Sequence, residues 1–332
     1  MDEHAIVIKG LRKSFGPFEA VKGIDLSIKK GEIFGLLGPN GAGKTTTLNM
    51  ILGLMKPTSG SIVVEGMDIE RHANDVKKSM GFMTQETVVD GSLTGRDNLR
   101  IAAELYHVPQ DEVEKRVEGA LGDANLTSFG DALSGTYSGG MQRRLNLVKS
   151  MIQEPKILIL DEPTTGLDVQ SRVSMWEHIR ELNRGGITII LTTQYLEEAD
   201  ALCNRIAIID HGVIKAQGTS SELKRIVYSG NLLEIVTRPE DVAKAVKLLT
   251  SKLGIKPAVK EDKLSAVLET KPLATVIKAA QALEAGKLQV LSISLHMPTL
   301  DDVFIKLTGE SFRDSTGEGT STMTRMWRMR GR

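Results

Sequence analysis

Three short segments of this 332-residue chain carry residue types that can do chemistry. The first, Gly38-Pro39-Asn40-Gly41-Ala42-Gly43-Lys44-Thr45, satisfies the pattern G-x-x-x-x-G-K-[ST], with Thr46 next in line. Glycines let backbone N–H groups converge on phosphate oxygens, and a helix opening at Lys44 adds the positive end of its dipole. Lys44 then reaches β- and γ-phosphates, and Thr45 can ligate Mg²⁺. The second segment, Ile157-Leu158-Ile159-Leu160-Asp161-Glu162, is an apolar run ending in two carboxylates. A buried strand delivers such a pair rigidly to the carboxyl edge of a sheet, where α/β folds bind ligands. Asp161 is the expected Mg²⁺ partner, through water. Glu162, on the opposite face of the pleat, is placed to polarise a water for in-line attack on a γ-phosphorus, as general base. Taken alone, the pair also fits a solvated strand end, and the phosphate cradle upstream favours chemistry. The third segment is Tyr137-Ser138-Gly139-Gly140-Met141-Gln142-Arg143-Arg144 at the opening of a helical pattern. Taken alone, Ser-Gly-Gly also fits a flexible loop; at a helix N-terminus it is a second anion site, and it suits a phosphate that the first cradle does not hold.

These residues need a scaffold, and the surrounding pattern supplies one. Short apolar runs alternate with helical patterns over the first two thirds, which predicts an α/β fold with a mostly parallel sheet. Ile33 to Leu36 leads into a helix from Lys44, while Ile157 to Leu160, Ile187 to Leu191 and Ile206 to Ile209 are apolar throughout, as strands buried on both faces are. A helical insert of about 96–150 interrupts the order; its first helices run from about Arg96 to Leu121, with Pro109 expected in the first turn of the second. After Gly230, a strand at Leu232 to Thr237, a helix through Leu253, a strand near Leu264 to Glu269, a helix through Leu283 and a strand at Gln289 to Leu295 predict a small ferredoxin-like α+β domain. From Ser311 the chain is rich in Ser, Thr and Gly, then in Met and Arg, and a disordered tail is expected. Its Arg325, Arg328, Arg330 and Arg332 read as a solvated tail or as a contact to an anionic membrane surface.

Composition narrows the function. Hydrophobic residues are 41% and charged residues 25%, and 42 basic side chains balance 42 acidic ones. No overall field recruits nucleic acid, and no nucleic-acid partner is expected. The single cysteine, Cys203, cannot form an intrachain disulfide and is expected in the core; the opening residues lack a signal-peptide h-region. No apolar run approaches the roughly 18 residues needed to cross a bilayer, so any channel must come from another chain. His211-Gly212 reads as a two-residue hairpin turn rather than a catalytic pair.

The ordered set of motifs resembles the ABC ATPase family over roughly residues 4 to 309, with Ser138-Gly139-Gly140 standing where that family has its signature. Thr136 to Met141, Thr192 to Asp200 and Pro298 to Phe304 are similar to the daunorubicin-resistance type of drug exporter ATPase. The resemblance implies a P-loop ABC ATPase domain with helical insert over 1–228; the residue pattern sets the small α+β domain over 229–310, and a tail over 311–332 lies outside the match. It also implies an ATP- and Mg²⁺-dependent ATPase that pairs head to tail with a second copy of itself or a homologous ATPase. Ser138, Gly139 and Gly140 would then meet the phosphate held by the opposite subunit. A separately encoded transmembrane permease would hold the chain at the cytoplasmic face of the cell membrane, for export of a drug, antibiotic or lipid. By the same resemblance Phe15 stacks on adenine, although its type also suits a core position. Gln85 touches Mg²⁺ and the attacking water and senses the permease, and Asp168 joins the catalytic set after Gly166-Leu167. The chain departs from the general pattern in Tyr137 and Met141, and in Gln194, where most members carry a switch histidine. An amide donates a hydrogen bond but does not titrate near neutral pH, so Gln194 is expected to orient rather than transfer protons. The competing readings are a non-transport ABC ATPase of translation, repair or iron–sulfur assembly, and a regulatory ATP-binding module without turnover. The first is disfavoured by the single cradle and single cysteine, the second by the presence of Glu162.

Overall fold

Apolar runs too short for helices set the central layer, and the helical segments between them cover it. The computed structural model describes residues 3–308 apart from 87, 228–229, 261–262 and 269–270, so the expected tail lies outside the described residues. The chain opens with two long strands, β1 (His4–Phe15) and β2 (Phe18–Lys29), followed by β3 (Ile33–Leu37) and α1 (Lys44–Ile51). Strands β4 (Ser59–Val64) and β5 (Met67–Asp68) and helix α2 (Ala73–Lys78) precede β6 (Met80–Met83). Three helices come next, α3 (Gly95–Leu105), α4 (Val113–Asp123) and α5 (Gly139–Lys149). Then β7 (Ile157–Asp161), α6 (Val169–Arg184), β8 (Thr188–Thr192), α7 (Leu196–Leu202), β9 (Arg205–Asp210) and β10 (Val213–Gly218) alternate. The remainder is α8 (Ser220–Val227), β11 (Asn231–Thr237), α9 (Val242–Leu253), β12 (Ala258–Lys260), β13 (Lys263–Leu268), α10 (Pro272–Ala285), β14 (Val290–His296) and α11 (Leu300–Thr308). The chain divides into two compact units between Ser220 and Ser221.

In the first unit, a six-stranded sheet has the order β10-β9-β3-β8-β7-β6, parallel except for β10. Alternate residues of its strands feed two cores. Phe34, Leu36, Ile157, Ile159, Ile190, Ala207 and Ile209 pack with α1 and an antiparallel sheet of order β2-β1-β4-β5. Ile33, Leu158, Leu160, Ile189 and Leu191 pack on the other side with Leu147 of α5, Met175 and Ile179 of α6 and Leu202 of α7. Two-sided burial is why these strands read as unbroken apolar runs rather than alternating ones. Cys203 packs against this second cluster.

Helices α3, α4 and α5 form their own cluster around Leu99, Val117, Leu121 and Leu145. Thr94 caps α3, its hydroxyl accepting from the Asp97 amide at 3.0 Å and donating to Asp97 Oδ2 at 2.6 Å. Pro109 corrects an expectation: α4 begins at Val113, and the Pro109 carbonyl instead closes a turn by accepting from the Glu112 amide at 2.9 Å. The turn uses proline where its missing N–H costs nothing, but ahead of the helix. His211 and Gly212, at φ 47° and 79°, make the two-residue turn joining β9 and β10.

The second unit is a four-stranded antiparallel sheet, β12-β13-β11-β14, joined in the chain order β11-α9-β12-β13-α10-β14. Leu233, Ile235, Leu264 and Leu268 bury one face against Ala245 and Leu249 of α9 and Ala279 and Leu283 of α10. β12 has no counterpart in the sequence reading because three residues are too few for a legible period.

Ile159 is fully buried in β7, so Ile159→Ala should cost about 2–5 kcal/mol. Urea unfolding of the two proteins checks this through the midpoint at unchanged slope. A loss below about 1 kcal/mol would mean that β7 does not sit in a packed core.

Candidate functional site

The phosphate-type loop sits between β3 and α1, and its glycines are there for space and for backbone angle. Gly43 caps α1 at φ 105°, and a Cβ there would stand 2.8 Å from the Ala20 carbonyl oxygen. At Gly38 a Cβ would stand 2.2 Å from the Ile209 carbonyl oxygen, so the loop lies flush on the neighbouring strand. The β9–β10 turn supports it from below, the Gly212 amide donating to Ala42 O at 3.0 Å. Lys44 Nζ curls back over the loop and donates to Gly38 O at 2.7 Å and Pro39 O at 3.1 Å. Burial pulls its ammonium below the ordinary lysine range, against the opposing charges of Glu162 and Asp161. Pro39 and Thr46 are half-buried, Ala42 is buried, and Asn40, Gly41 and Thr45 are exposed at the loop's open side.

At the end of β7 the register places Asp161 beside Thr192 of β8, whose hydroxyl donates to Asp161 Oδ1. The chain then turns sharply at Glu162, which has φ 50°, a left-handed conformation unusual for a non-glycine residue. Its amide donates to Thr192 O at 3.0 Å. Its carboxylate is thereby brought to a chain of side chains that meet only in the fold. Gln85 Nε2 donates to Glu162 Oε2 at 3.2 Å, and Thr165 Oγ1 donates to the same oxygen at 3.0 Å. Gln194 Nε2 in turn donates to Thr165 Oγ1 at 3.3 Å. Gln85 follows β6, Glu162 follows β7 and Gln194 follows β8, so three adjacent strands deliver the set to one edge.

The remaining expected residues stand apart from this chain of bonds. Ser138 caps α5, its hydroxyl accepting from the Met141 amide at 3.3 Å. A Cβ on Gly140 would meet Ser171 Oγ at 2.8 Å, whereas Gly139 is exposed with nothing within 4 Å of a Cβ. Asp168 caps α6, accepting from the Ser171 amide at 3.0 Å and its hydroxyl at 2.6 Å, and those bonds hold its carboxyl below the usual range. Phe15 is 47% exposed, so the alternative of a core aromatic is set aside. Lys13 Nζ covers its ring at 5.2 Å while donating to Lys56 O at 2.8 Å. Thr165 and Arg143 belong to the site and were not singled out by sequence. Thr165 lies three residues past Glu162, a spacing that gives no signal by itself, and Arg143 lies within the signature-like segment on α5.

A cradle flush on a parallel sheet, an acidic strand end beside it and an inserted helical layer define a P-loop ATPase of the cassette type. The ABC transporter family profile matches residues 21–165. A daunorubicin resistance ATP-binding protein of Streptomyces coeruleorubidus is 39% identical over 315 residues, covering 94% of this chain and 98% of that protein. The Nod factor export ATP-binding protein I of Ralstonia nicotianae is 37% identical over 309 residues, covering 92% and 94%. Among solved structures, a dimeric ATP-binding cassette in a post-hydrolysis state with ADP and Pi superposes with a TM-score of 0.58 at 26% identity, covering 64% of this chain and 98% of that one. The chain therefore belongs to the ABC transporter family, as an ATP-binding, ATP-hydrolysing subunit.

Thr165 links Gln194 to Glu162, and a hydrogen bond to a charged group contributes about 1.5–3 kcal/mol. Thr165→Val should therefore lower ATPase kcat by at least about tenfold. Steady-state assays at saturating ATP check this. Turnover equal to wild type would show that the bridge is dispensable.

Proposed function

We propose that this chain binds Mg-ATP between two copies of itself and drives export through a separate membrane subunit, and that the site residues act as follows. Gly38 to Thr46 wrap the phosphates, Lys44 neutralises the β- and γ-groups, and Phe15 stacks on the adenine with its Lys13-free face. The observation that carries this reading is the junction of Gln85, Glu162, Thr165 and Gln194 at one sheet edge, with the charges of Asp161 and Glu162 felt at Lys44. The donor set fits a hard divalent ion. Thr45 hydroxyl, Gln85 amide oxygen and the Asp161 carboxylate are all oxygen donors, and one or two carboxylates beside substrate phosphates suit Mg²⁺. Among the described residues no cluster of His, Cys, Asp and Glu competes for a softer metal. When bound, Mg²⁺ would neutralise charge building on the phosphate oxygens.

The chain's own residues then account for the chemistry. The Glu162 carboxylate accepts the proton of a water aligned with the γ-phosphorus. The water oxygen bonds to phosphorus as the bond to the ADP oxygen breaks. Gln85 and Thr165 fix the carboxylate's direction, and Gln194 orients the γ-phosphate by donation. Asp168, as cap of α6, sets the loop from Gly166 to Asp168 at the approach to the second copy. The open Gly139, with Ser138 and Gly140 at the start of α5, supports a phosphate site completed head to tail. The relatives' associations with daunorubicin resistance and Nod factor export support an exporter. No helix among the described residues is long and apolar enough to cross a membrane; a separate permease would hold the chain at the cytoplasmic face of the membrane. A groove lined by Val88, Val89, Leu93, Ile101 and Lys149, just past Gln85, suits that permease. The second unit's strand order and chain order support a ferredoxin-like fold.

Two sets of variants test the assignment. Lys44→Ala removes the main point charge on the phosphates and should abolish turnover, read by phosphate release; wild-type rates would remove the cradle from the site. Gln194→His should keep kcat within about tenfold, a barrier change of about 1.4 kcal/mol. Gln194→Ala deletes a preorganised donor and should lose about 100- to 1,000-fold in kcat with ATP affinity held. An unchanged kcat in Gln194→Ala would leave Glu162 and Gln85 to position the water alone.

A further inference from the structure

One buried cation of the first unit is spent neither on the phosphate loop nor on the surface. Arg143 is 3% exposed, five residues beyond the Ser138 cap of α5. Its planar fork meets carbonyl oxygens of both catalytic loops. Nε donates to Pro163 O at 2.6 Å, Nη1 to Gln85 O at 2.7 Å and Nη2 to Glu162 O at 2.5 Å. Burial disfavours its charge, while Glu198, Glu162 and Asp161 favour it. A desolvated guanidinium is costly unless its donors are met, and here they are met by main chain that regular secondary structure does not hold. Gln85 and Glu162 are 77 residues apart in sequence, and their side chains meet at a 3.2 Å bond from Gln85 Nε2 to Glu162 Oε2. Glu162 also holds a left-handed φ of 50°, which persists only when its surroundings fix it.

We propose that Arg143 is a positioning residue for hydrolysis: it fixes the backbones carrying Gln85 and Glu162 and ties both to the helix that opens with Ser138-Gly139-Gly140. This rests on the reading of Glu162 as the base and Gln85 as its neighbour at the attacking water. The described bonds of Arg143 run to the Gln85 and Glu162 segments, so its effect falls on the chemical step rather than on ATP binding. Because α5 is one rigid element, a displacement at its Ser-Gly-Gly end reaches the Arg143 fork about 7 Å along the axis. The planar fork is required. A lysine ammonium at the end of a different stem cannot meet three divergent carbonyls in one plane.

The test compares full-length wild type with Arg143→Lys and Arg143→Gln for ATPase kcat and KM, ATP binding by a fluorescent nucleotide, and amide hydrogen exchange. Misplacing a reacting group by about 1 Å can cost on the order of 100-fold, so kcat in Arg143→Gln should fall about 10- to 100-fold with ATP Kd within about threefold. Arg143→Lys should recover part of that loss. Exchange should quicken by roughly tenfold across 84–90 and 162–168, with α1 unchanged, a readout that needs no turnover. A kcat within twofold of wild type, unchanged exchange in those segments, or parallel loss of kcat, binding and melting temperature would each overturn the proposal. Glu162→Gln run alongside separates the two claims. Wild-type turnover by Glu162→Gln would refute the base assignment, while the exchange data would still decide whether Arg143 holds the two loops.

Discussion

The two-sided burial of β7 is the constraint on which the rest of the site depends. Ile157, Ile159 and their alternates Leu158 and Leu160 are all fully buried, each pair in a different core, so the strand cannot slip by one residue without moving both sets. With the register fixed, Asp161 must fall beside Thr192 and the chain must turn at Glu162. The polar residues at the edge are therefore positioned by apolar packing some residues away. The left-handed Glu162 is tolerated because its amide bonds to β8 and its carbonyl to Arg143.

The phosphate loop follows the same logic with backbone instead of side chains. Gly38 lies flush on Ile209 and Gly43 on Ala20, so the loop is supported by β9 and β2 rather than by its own side chains. The β9–β10 turn completes that support, with Gly212 bonded to Ala42 above and to Lys22 beside it. The loop's path is thus set by the elements packed around it. Lys44 lies along the same loop, donating to the Gly38 and Pro39 carbonyls.

Local pattern made part of this legible from sequence. The phosphate loop, β7 with its carboxylates, the β9–β10 turn and the Ser138 cap each announce themselves within about ten residues, because strand period, glycine placement and cap chemistry are local. Meetings between distant segments are not local. Gln85 with Glu162, and Arg143 with both, depend on strand order in the sheet, which the apolar runs do not encode. Thr165 was missed for that reason, since its role exists only once β8 brings Gln194 alongside. Pro109 misled because proline suits both the first turn of a helix and a turn ahead of one. The long β1–β2 pair and three-residue β12 escaped because bulges break the period of the first and length hides the second.

In the proposed dimer, one copy's phosphate loop and another's Ser138-Gly139-Gly140 would enclose the same nucleotide. Light scattering of purified Glu162→Gln with ATP, with ADP and with no nucleotide tests it most directly, because blocking proton transfer leaves the ATP-bound state to accumulate. A dimer is expected with ATP alone and a monomer in the other two conditions, with Ser138→Arg in the same background restoring the monomer. A Glu162→Gln protein that binds ATP and stays monomeric, or a dimer indifferent to Ser138→Arg, would contradict it.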